Sequence, residues 1–224
     1  LFTRSVEEMI FLWSVMRSGL GDDGVPLVNP KSIEFSIPRW PIDGVLELEM
    51  QSRFEAYVAL LPEQGFHITP VDLPQSLTAL PEIILTVMHY EAARIHGDDF
   101  RKNGVQVGAK LASLIEAGLA INHNDYELAQ ISLARARDDF DTAVAKRIWI
   151  TPAALGAAPP SLDTTGDPRC NSPFTALGVP SISFPFATAS NGLPLGLQLA
   201  SGNKREMWLL AAAAQLEKSL LTRR

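Results

Sequence analysis

The side chains that most often carry enzymatic catalysis are sparse in this sequence. Cys170 is the single cysteine, no histidine lies near it in sequence, and nothing visible would favour its thiolate form. No Gly-x-Ser-x-Gly elbow and no Gly-Gly-Ser-Ser run is present. The lysines lie in polar segments, where we expect them to be exposed, and an exposed lysine is a poor base at neutral pH. These residue types and spacings offer no candidate catalytic residue.

Metal and cofactor sites also lack the residues they need. The four histidines, His67, His89, His96 and His123, are scattered. His89 and His96 could share a helix face because they are seven residues apart, but no third ligand stands near them. A single cysteine cannot form an internal disulfide. We therefore expect no metal ion and no cofactor, and a reduced cytoplasmic setting.

Charge and hydropathy argue against two classes of partner. The 224 residues carry a net charge of -6, with a pI near 5.2, and the densest basic stretch, residues 135–147, is interspersed with aspartates. That pattern is typical of a solvated helix face, not of a nucleic-acid site. No apolar run approaches the roughly 20 residues that span a bilayer, and residues 1–18 carry charges inside their apolar stretch, unlike a signal peptide. We expect neither nucleic acid nor a membrane as a direct partner.

The first third of the chain alternates between helix and strand patterns. Ser5 and Glu8 form a capping box before apolar residues at helical spacing, which predicts a helix over residues 5–17. Residues 32–37 alternate like a strand, an amphipathic helix follows, and residues 67–71 read as a second short strand. This succession predicts a parallel α/β unit.

A long helical middle then interrupts the strands. Its apolar periodicity predicts helices over residues 76–96, 105–121 and 125–147, the last with an N-cap at Asn124. Such a run is typical of an insertion on one side of a sheet. We therefore expect one α/β domain over residues 1–224, with a helical excursion at about 76–147.

Strands return in the last third, residues 148–221, which end in a closing helix. Residues 148–151 are short and apolar, and after a Pro-, Gly- and Ala-rich loop Ser172 fits the cap of a brief helix. Two apolar strands, 180–186 and 194–201, are joined through Asn191-Gly192, which is a strong tight-turn signal.

Three ordered stretches resemble the amidase signature family. The most specific is C-terminal, where residues 178–185 (GVPSISFP) and 192–199 (GLPLGLQL) are similar to the family's Gly-Leu-Pro-Ala strand and Gly-Leu-Pro-x-Gly-x-Gln strand. Residues 150–152 (ITP) resemble a Leu-x-Thr-Pro element. The start, residues 1–8 (LFTRSVEE), resembles the Gly-Pro-x-Ala-Arg-Ser-Val-x-Asp helix start that follows the nucleophile. In this order the matches span nearly the whole chain.

The resemblance implies a fold and an activity. Members of the family hydrolyse, or transfer from, carboxylic amides with a serine nucleophile, a second serine in a cis peptide and a lysine base that burial keeps neutral. Backbone N–H groups of a Gly-rich loop hold the oxyanion. All these groups lie upstream of the position that matches Leu1, so the resemblance implies that no catalytic residue transfers onto this sequence and that the chain alone is inactive. The implied fold class is α/β, the C-terminal part of the amidase signature fold, with a mixed sheet flanked by helices.

The resemblance also implies part of a substrate pocket. In the family, the region that matches residues 164–175 approaches the acyl side of the site, so Asp167, Asn171 and Thr175 are predicted substrate-binding residues. Asp167 could bind a substrate amine or an arginine, or it could instead cap a turn with its neighbours. Asn171 and Thr175 could instead serve as a helix cap and in packing.

Several functions remain open at this point. The first is an amidase acting on a small-molecule amide, with its serine supplied from upstream. The second is the A-type subunit of a tRNA-dependent amidotransferase, and the third is a non-catalytic scaffold domain. A homodimer is compatible with each. Because the chain begins at Leu1 and enters a helix at once, we expect a fragment with bare strand edges that expresses poorly or binds hydrophobic dyes.

Overall fold

The described residues contain a mixed five-stranded sheet. The computed structural model describes residues 1–18, 33–39 and 45–221. In the described residues the strand order is β2-β1-β3-β5-β4. The strands are β1 (Glu34–Pro38), β2 (His67–Val71), β3 (Arg147–Pro152), β4 (Ser181–Thr188) and β5 (Pro194–Ala200).

The sheet changes direction at its central strand. β3 pairs in parallel with β1 and antiparallel with β5, while β1 pairs in parallel with β2. β3 is an almost continuous buried run, as expected for a strand covered on both faces. The predicted parallel α/β unit and the mixed sheet are confirmed. Ser32, the predicted first residue of β1, lies outside the described residues.

The described residues also form helices. They are α1 (Val6–Ser18), α2 (Leu48–Leu60), α3 (Gln75–Thr78), α4 (Leu80–Asn103), α5 (Ala109–Leu119), α6 (His123–Val144), α7 (Ser172–Leu177) and α8 (Glu206–Leu221). The chain divides into two compact units. One comprises Leu1–Leu73 with Asp141–Arg224 and contains the sheet, and the other comprises Pro74–Phe140 and is helical. No helix in the described ranges combines the length and apolarity needed to cross a membrane.

The apolar core of the sheet-containing unit lies on one face of the strands. Alternate residues of β3 and β5, such as Ile150 and Leu197, pack with α8, α1 and α2. Leu197 and Leu216 of α8 are fully buried in this cluster. Burial of apolar side chains is the main stabilising term in folding, so this core fixes the register of β3, β5 and β4.

Four predicted helix boundaries are wrong. The predicted helix over 76–96 is two helices, because α4 begins anew with a proline in its first turn. α6 begins at His123, and its start is capped by Asn122, not Asn124: the Asn122 Oδ1 accepts from the backbone N–H of Asp125 at 2.9 Å. α6 also ends earlier than predicted, before Ala145 takes a positive φ of 44°. Ser172 is the first residue of α7 and not its cap.

Candidate substrate-side site on the sheet

A row of polar side chains crosses three neighbouring strands. Thr151 on β3 and Ser183 on β4 both stand opposite Gln198 on β5 in the antiparallel register. Directly opposed residues project from the same face of a sheet. Alternation along β5 turns Gln198 away from Leu197 and Leu199, which belong to the apolar core. The face opposite that core therefore carries a polar row.

Gln198 connects the polar row to the segment before α7. Its side-chain Nε2 donates to Oγ1 of Thr151 at 3.2 Å and to the backbone carbonyl of Cys170 at 2.8 Å. Thr151 and Gln198 are each only 4% exposed. A buried amide is costly unless its donors are satisfied, and here both N–H groups of the Gln198 amide have acceptors. The sheet therefore holds the carbonyl of Cys170 in one position.

The three predicted substrate-binding residues lie on one short segment around that carbonyl. Asp167 caps a 3-10 turn, Pro168–Cys170, because its Oδ1 accepts from the backbone N–H of Arg169 at 2.9 Å. The backbone N–H of Asn171 donates to the carbonyl of Pro168 at 3.0 Å. The carbonyl of Asn171 in turn accepts from the backbone N–H of Thr175 at 3.2 Å and from its hydroxyl at 3.3 Å. These residues share one hydrogen-bonded segment, and their contact with a substrate stays a prediction.

The carboxylate of Asp167 is paired with a neighbouring arginine. Arg169 Nε donates to both carboxylate oxygens, at 3.0 and 2.9 Å, and Nη2 donates to Oδ2 at 2.6 Å. These hydrogen bonds lower the pKa of Asp167 below its usual value, although partial burial opposes the shift. The geometry matches the turn-capping interpretation of Asp167. A substrate cation would have to displace the exposed guanidinium of Arg169 to reach this carboxylate.

Cys170 is unsuited to act as a nucleophile. Its side chain is buried, and burial, assisted by the nearby Asp167 carboxylate, raises the pKa of its thiol to about 11. The thiol is therefore protonated at neutral pH, whereas a reactive cysteine needs its thiolate. Cys170 takes part in the site through its backbone carbonyl.

The described part of the chain also holds no serine–lysine pair suited to catalysis. Ser201 and Lys204 have a Ser-x-x-Lys spacing. Ser201 is buried and its Oγ donates to the carbonyl of Gly202 at 3.4 Å, while Lys204 is exposed on a turn. The other described lysines are exposed as predicted: Lys102, Lys110, Lys146 and Lys218.

A groove of about 440 Å³ runs along β4, the terminal strand of the described sheet. Residues 1–6 form one wall, residues 180–185 form another, and side chains of α8 close it. Ser183 and Gln198 of the polar row also line the groove, whereas Asp167, Asn171 and Thr175 do not. The groove thus follows the outer edge of the described sheet, next to residues 1–6.

The start of α1 is held beside this groove by α8. Glu217 Oε2 accepts from the backbone N–H of Val6, the first residue of α1, at 3.0 Å. The predicted capping box is half formed: Ser5 Oγ accepts from the N–H of Glu8 at 3.2 Å, but Glu8 accepts from the N–H of Arg4, not of Ser5. A carboxylate at a helix N-terminus is favourable because it faces unpaired N–H groups and the positive end of the dipole.

The sequence-based predictions missed Thr151 and Gln198, which form the polar row, and Glu217, which contacts the start of α1 beside the groove. One signal was present for Gln198, because a glutamine between Leu197 and Leu199 falls on the opposite face of an apolar strand. Its partners could not be read from the sequence, since Thr151 lies 47 residues and Cys170 28 residues away.

Curated proteins similar to this chain match it over different extents. No protein-family model matches the chain. The A-type subunit of the glutamyl-tRNA(Gln) amidotransferase of Wolbachia pipientis wMel is 27% identical over 219 residues, which cover 84% of this chain and 45% of that protein. The 6-aminohexanoate-cyclic-dimer hydrolase of Pseudomonas sp. (strain NK87) is 46% identical over 48 residues, 21% of this chain and 10% of that protein.

A solved crystal structure of an amidase has a similar fold. Its TM-score to this chain is 0.85 at 27% sequence identity, and the match covers 97% of this chain and 51% of the amidase. The chain therefore spans about half the length of the proteins that it matches.

Proposed function

Since this chain is related to the amidase signature enzymes and matches their C-terminal half, we propose that it is one half of an amide hydrolase. The observation that carries the proposal is the amidase match over 97% of the chain but 51% of the amidase. In this proposal residues 1–224 form a partial amidase domain that supplies scaffold and part of the pocket for a small-molecule amide. The nucleophilic serine comes from a segment outside these residues, and the protein works in the cytoplasm.

The proposed chemistry is acyl transfer to that serine. Its Oγ adds to the amide carbonyl carbon while a base takes the hydroxyl proton. The C–N bond then breaks, the amine leaves with that proton, and water hydrolyses the acyl ester to a carboxylate and regenerates the serine. This chain contributes the segment that carries Asp167, Asn171 and Thr175, which would contact the acyl side of the substrate.

The groove along β4 is where the remaining part of the sheet would join. Among the described strands β4 is the terminal one, and an edge strand accepts a further strand readily. Phe2 and Phe11 are largely exposed although they are large and apolar. Covering them would bury apolar surface, so we expect the isolated chain to bind a hydrophobic dye and to lose that binding when the remaining half is present.

Hydrolysis of simple amides tests the proposal. Two proteins are compared: residues 1–224 alone, and residues 1–224 joined to the polypeptide encoded directly upstream of Leu1 (the joined protein). Release of ammonia or amine is measured for both over a panel of aliphatic and aromatic amides. The joined protein should hydrolyse at least one amide and the isolated chain none. A joined protein without activity on the whole panel, or an active isolated chain, would overturn the proposal.

A second function is favoured by the 27% identity to the A-type subunit of a glutamyl-tRNA(Gln) amidotransferase over 84% of this chain. In that case the proposed activity is release of ammonia from a donor amide for use by a partner protein. The two functions differ in substrate, because the amidotransferase would depend on charged tRNA and a partner. An assay of glutamine hydrolysis with and without charged tRNA separates them. If the protein is a non-catalytic scaffold, neither assay should show activity.

A further inference from the structure

We propose that Gln198 is a positioning residue whose buried side-chain amide fixes the substrate-side segment, residues 167–175, against the sheet. The assignment of that segment to the substrate rests on the proposed function. The role of Gln198 within the fold rests on its own contacts, which are made inside the sheet-containing unit.

The position of one carbonyl determines the position of the whole segment. Cys170 is the last residue of the turn that Asp167 caps. The next residue, Asn171, pairs back to Pro168 and forward to Thr175 through backbone hydrogen bonds. Any rotation that removes the Cys170 carbonyl from Gln198 would therefore shift the residues on both sides of it.

The amide of Gln198 can make this contact in one orientation only. The carbonyl oxygen of Cys170 accepts hydrogen bonds and cannot donate, so the nitrogen of the amide must face it. The second N–H of the same nitrogen is directed to Oγ1 of Thr151 on the neighbouring strand. Thr151 thus holds the amide plane while Gln198 holds the segment. A side chain of equal length without an N–H group cannot replace it.

Cys170 provides a reporter for the test, because it is the single cysteine and is only 2% exposed. The rate of its reaction with dithiobis-nitrobenzoate is measured at one fixed pH in native buffer, together with a thermal melt. Three variants are compared with the unmodified chain. Gln198→Met keeps the length of the side chain but removes both donors, Thr151→Val removes one acceptor, and Ile148→Val removes one methylene from the opposite face of the same sheet.

Gln198→Met should react at least about tenfold faster than Ile148→Val, because it leaves a buried carbonyl unpaired. Thr151→Val should show a smaller increase, since the hydrogen bond to the Cys170 carbonyl remains. Ile148→Val controls for general loss of stability. Reaction of Gln198→Met at the rate of Ile148→Val would overturn the proposal.

Kinetics of the joined protein separate this inference from the proposed function. If residues 167–175 contact the acyl side of the substrate, Gln198→Met should raise KM for an amide several-fold more than it lowers kcat. Faster thiol reaction with an unchanged KM would overturn the placement of the segment at the substrate and leave the positioning of the segment by Gln198 supported. Faster reaction with a raised KM supports both.

Discussion

Loss of the contact between Glu217 and the start of α1 should lower the stability of the protein by a measurable amount. Glu217 accepts from the N–H of Val6 across 211 residues of sequence, and Val6 is 2% exposed. Replacing Glu217 with alanine leaves that N–H without its acceptor, and loss of a helix cap costs about 1 kcal/mol. Part of this loss of stability is electrostatic, because an anion at a helix N-terminus contributes about 0.3–1 kcal/mol. Glu217→Gln, which keeps an acceptor oxygen, should therefore lose less than Glu217→Ala.

Thermal unfolding followed by circular dichroism measures this loss. A change of 1 kcal/mol lowers Tm by about 2–4 °C in a chain of this size. Glu116→Ala is the matched control, because Glu116 is an exposed helical glutamate on α5 and the substitution makes the same change in helix propensity. If Glu217→Ala and Glu116→Ala melt at the same temperature, the start of α1 does not depend on the contact with α8.

Three further substitutions test other local features, each by the same thermal melt. Gly178→Ala should cost about 1 kcal/mol, because Gly178 ends α7 with φ at 67° and alanine is strained there. Gly118→Ala should cost about 1–3 kcal/mol, because the new methyl group would collide with the backbone carbonyl of His89 in α4. Asp167→Asn should cost at most about 1 kcal/mol near neutral pH, since the pair with Arg169 is partly exposed. Because the native pKa of Asp167 is lowered, this pair stabilises above the unfolded pKa of about 3.9, and the difference from Asp167→Asn should vanish as pH falls through the native pKa. Unchanged melts for the glycine variants, or a pH-independent difference for Asp167→Asn, would contradict these assignments.

Local sequence signals predicted most elements of the sheet. β2 was predicted to the residue as 67–71. The hairpin of β4 and β5 followed from Asn191-Gly192. The connection is longer than a two-residue turn, however, because it comprises residues 189–193, and Gly192 has a positive φ of 81° whereas Asn191 does not. These features are short-range, because turn chemistry and strand alternation depend on adjacent residues. The predicted α/β fold class also agrees with the match to a solved amidase.

The helix boundaries that were predicted wrongly, and the contacts that were missed, depend on residues distant in sequence or on small local differences. Asn122 and Asn124 are equally good caps by type, and only the structure selects Asn122. Ala145 carries no signal for its positive φ. Within the site, Asp167 was correctly identified as a possible turn cap, but the Gln198 amide that holds the adjacent carbonyl depends on strand register. Strand register emerges only when the whole sheet assembles.

We propose that the nucleophilic serine lies outside residues 1–224. Reaction of the joined protein with a fluorophosphonate, followed by peptide mass spectrometry, identifies the nucleophile directly. We expect one modified serine in the upstream segment and none within residues 1–224. Modification of a residue within residues 1–224 that abolishes amide hydrolysis would contradict this placement of the nucleophile.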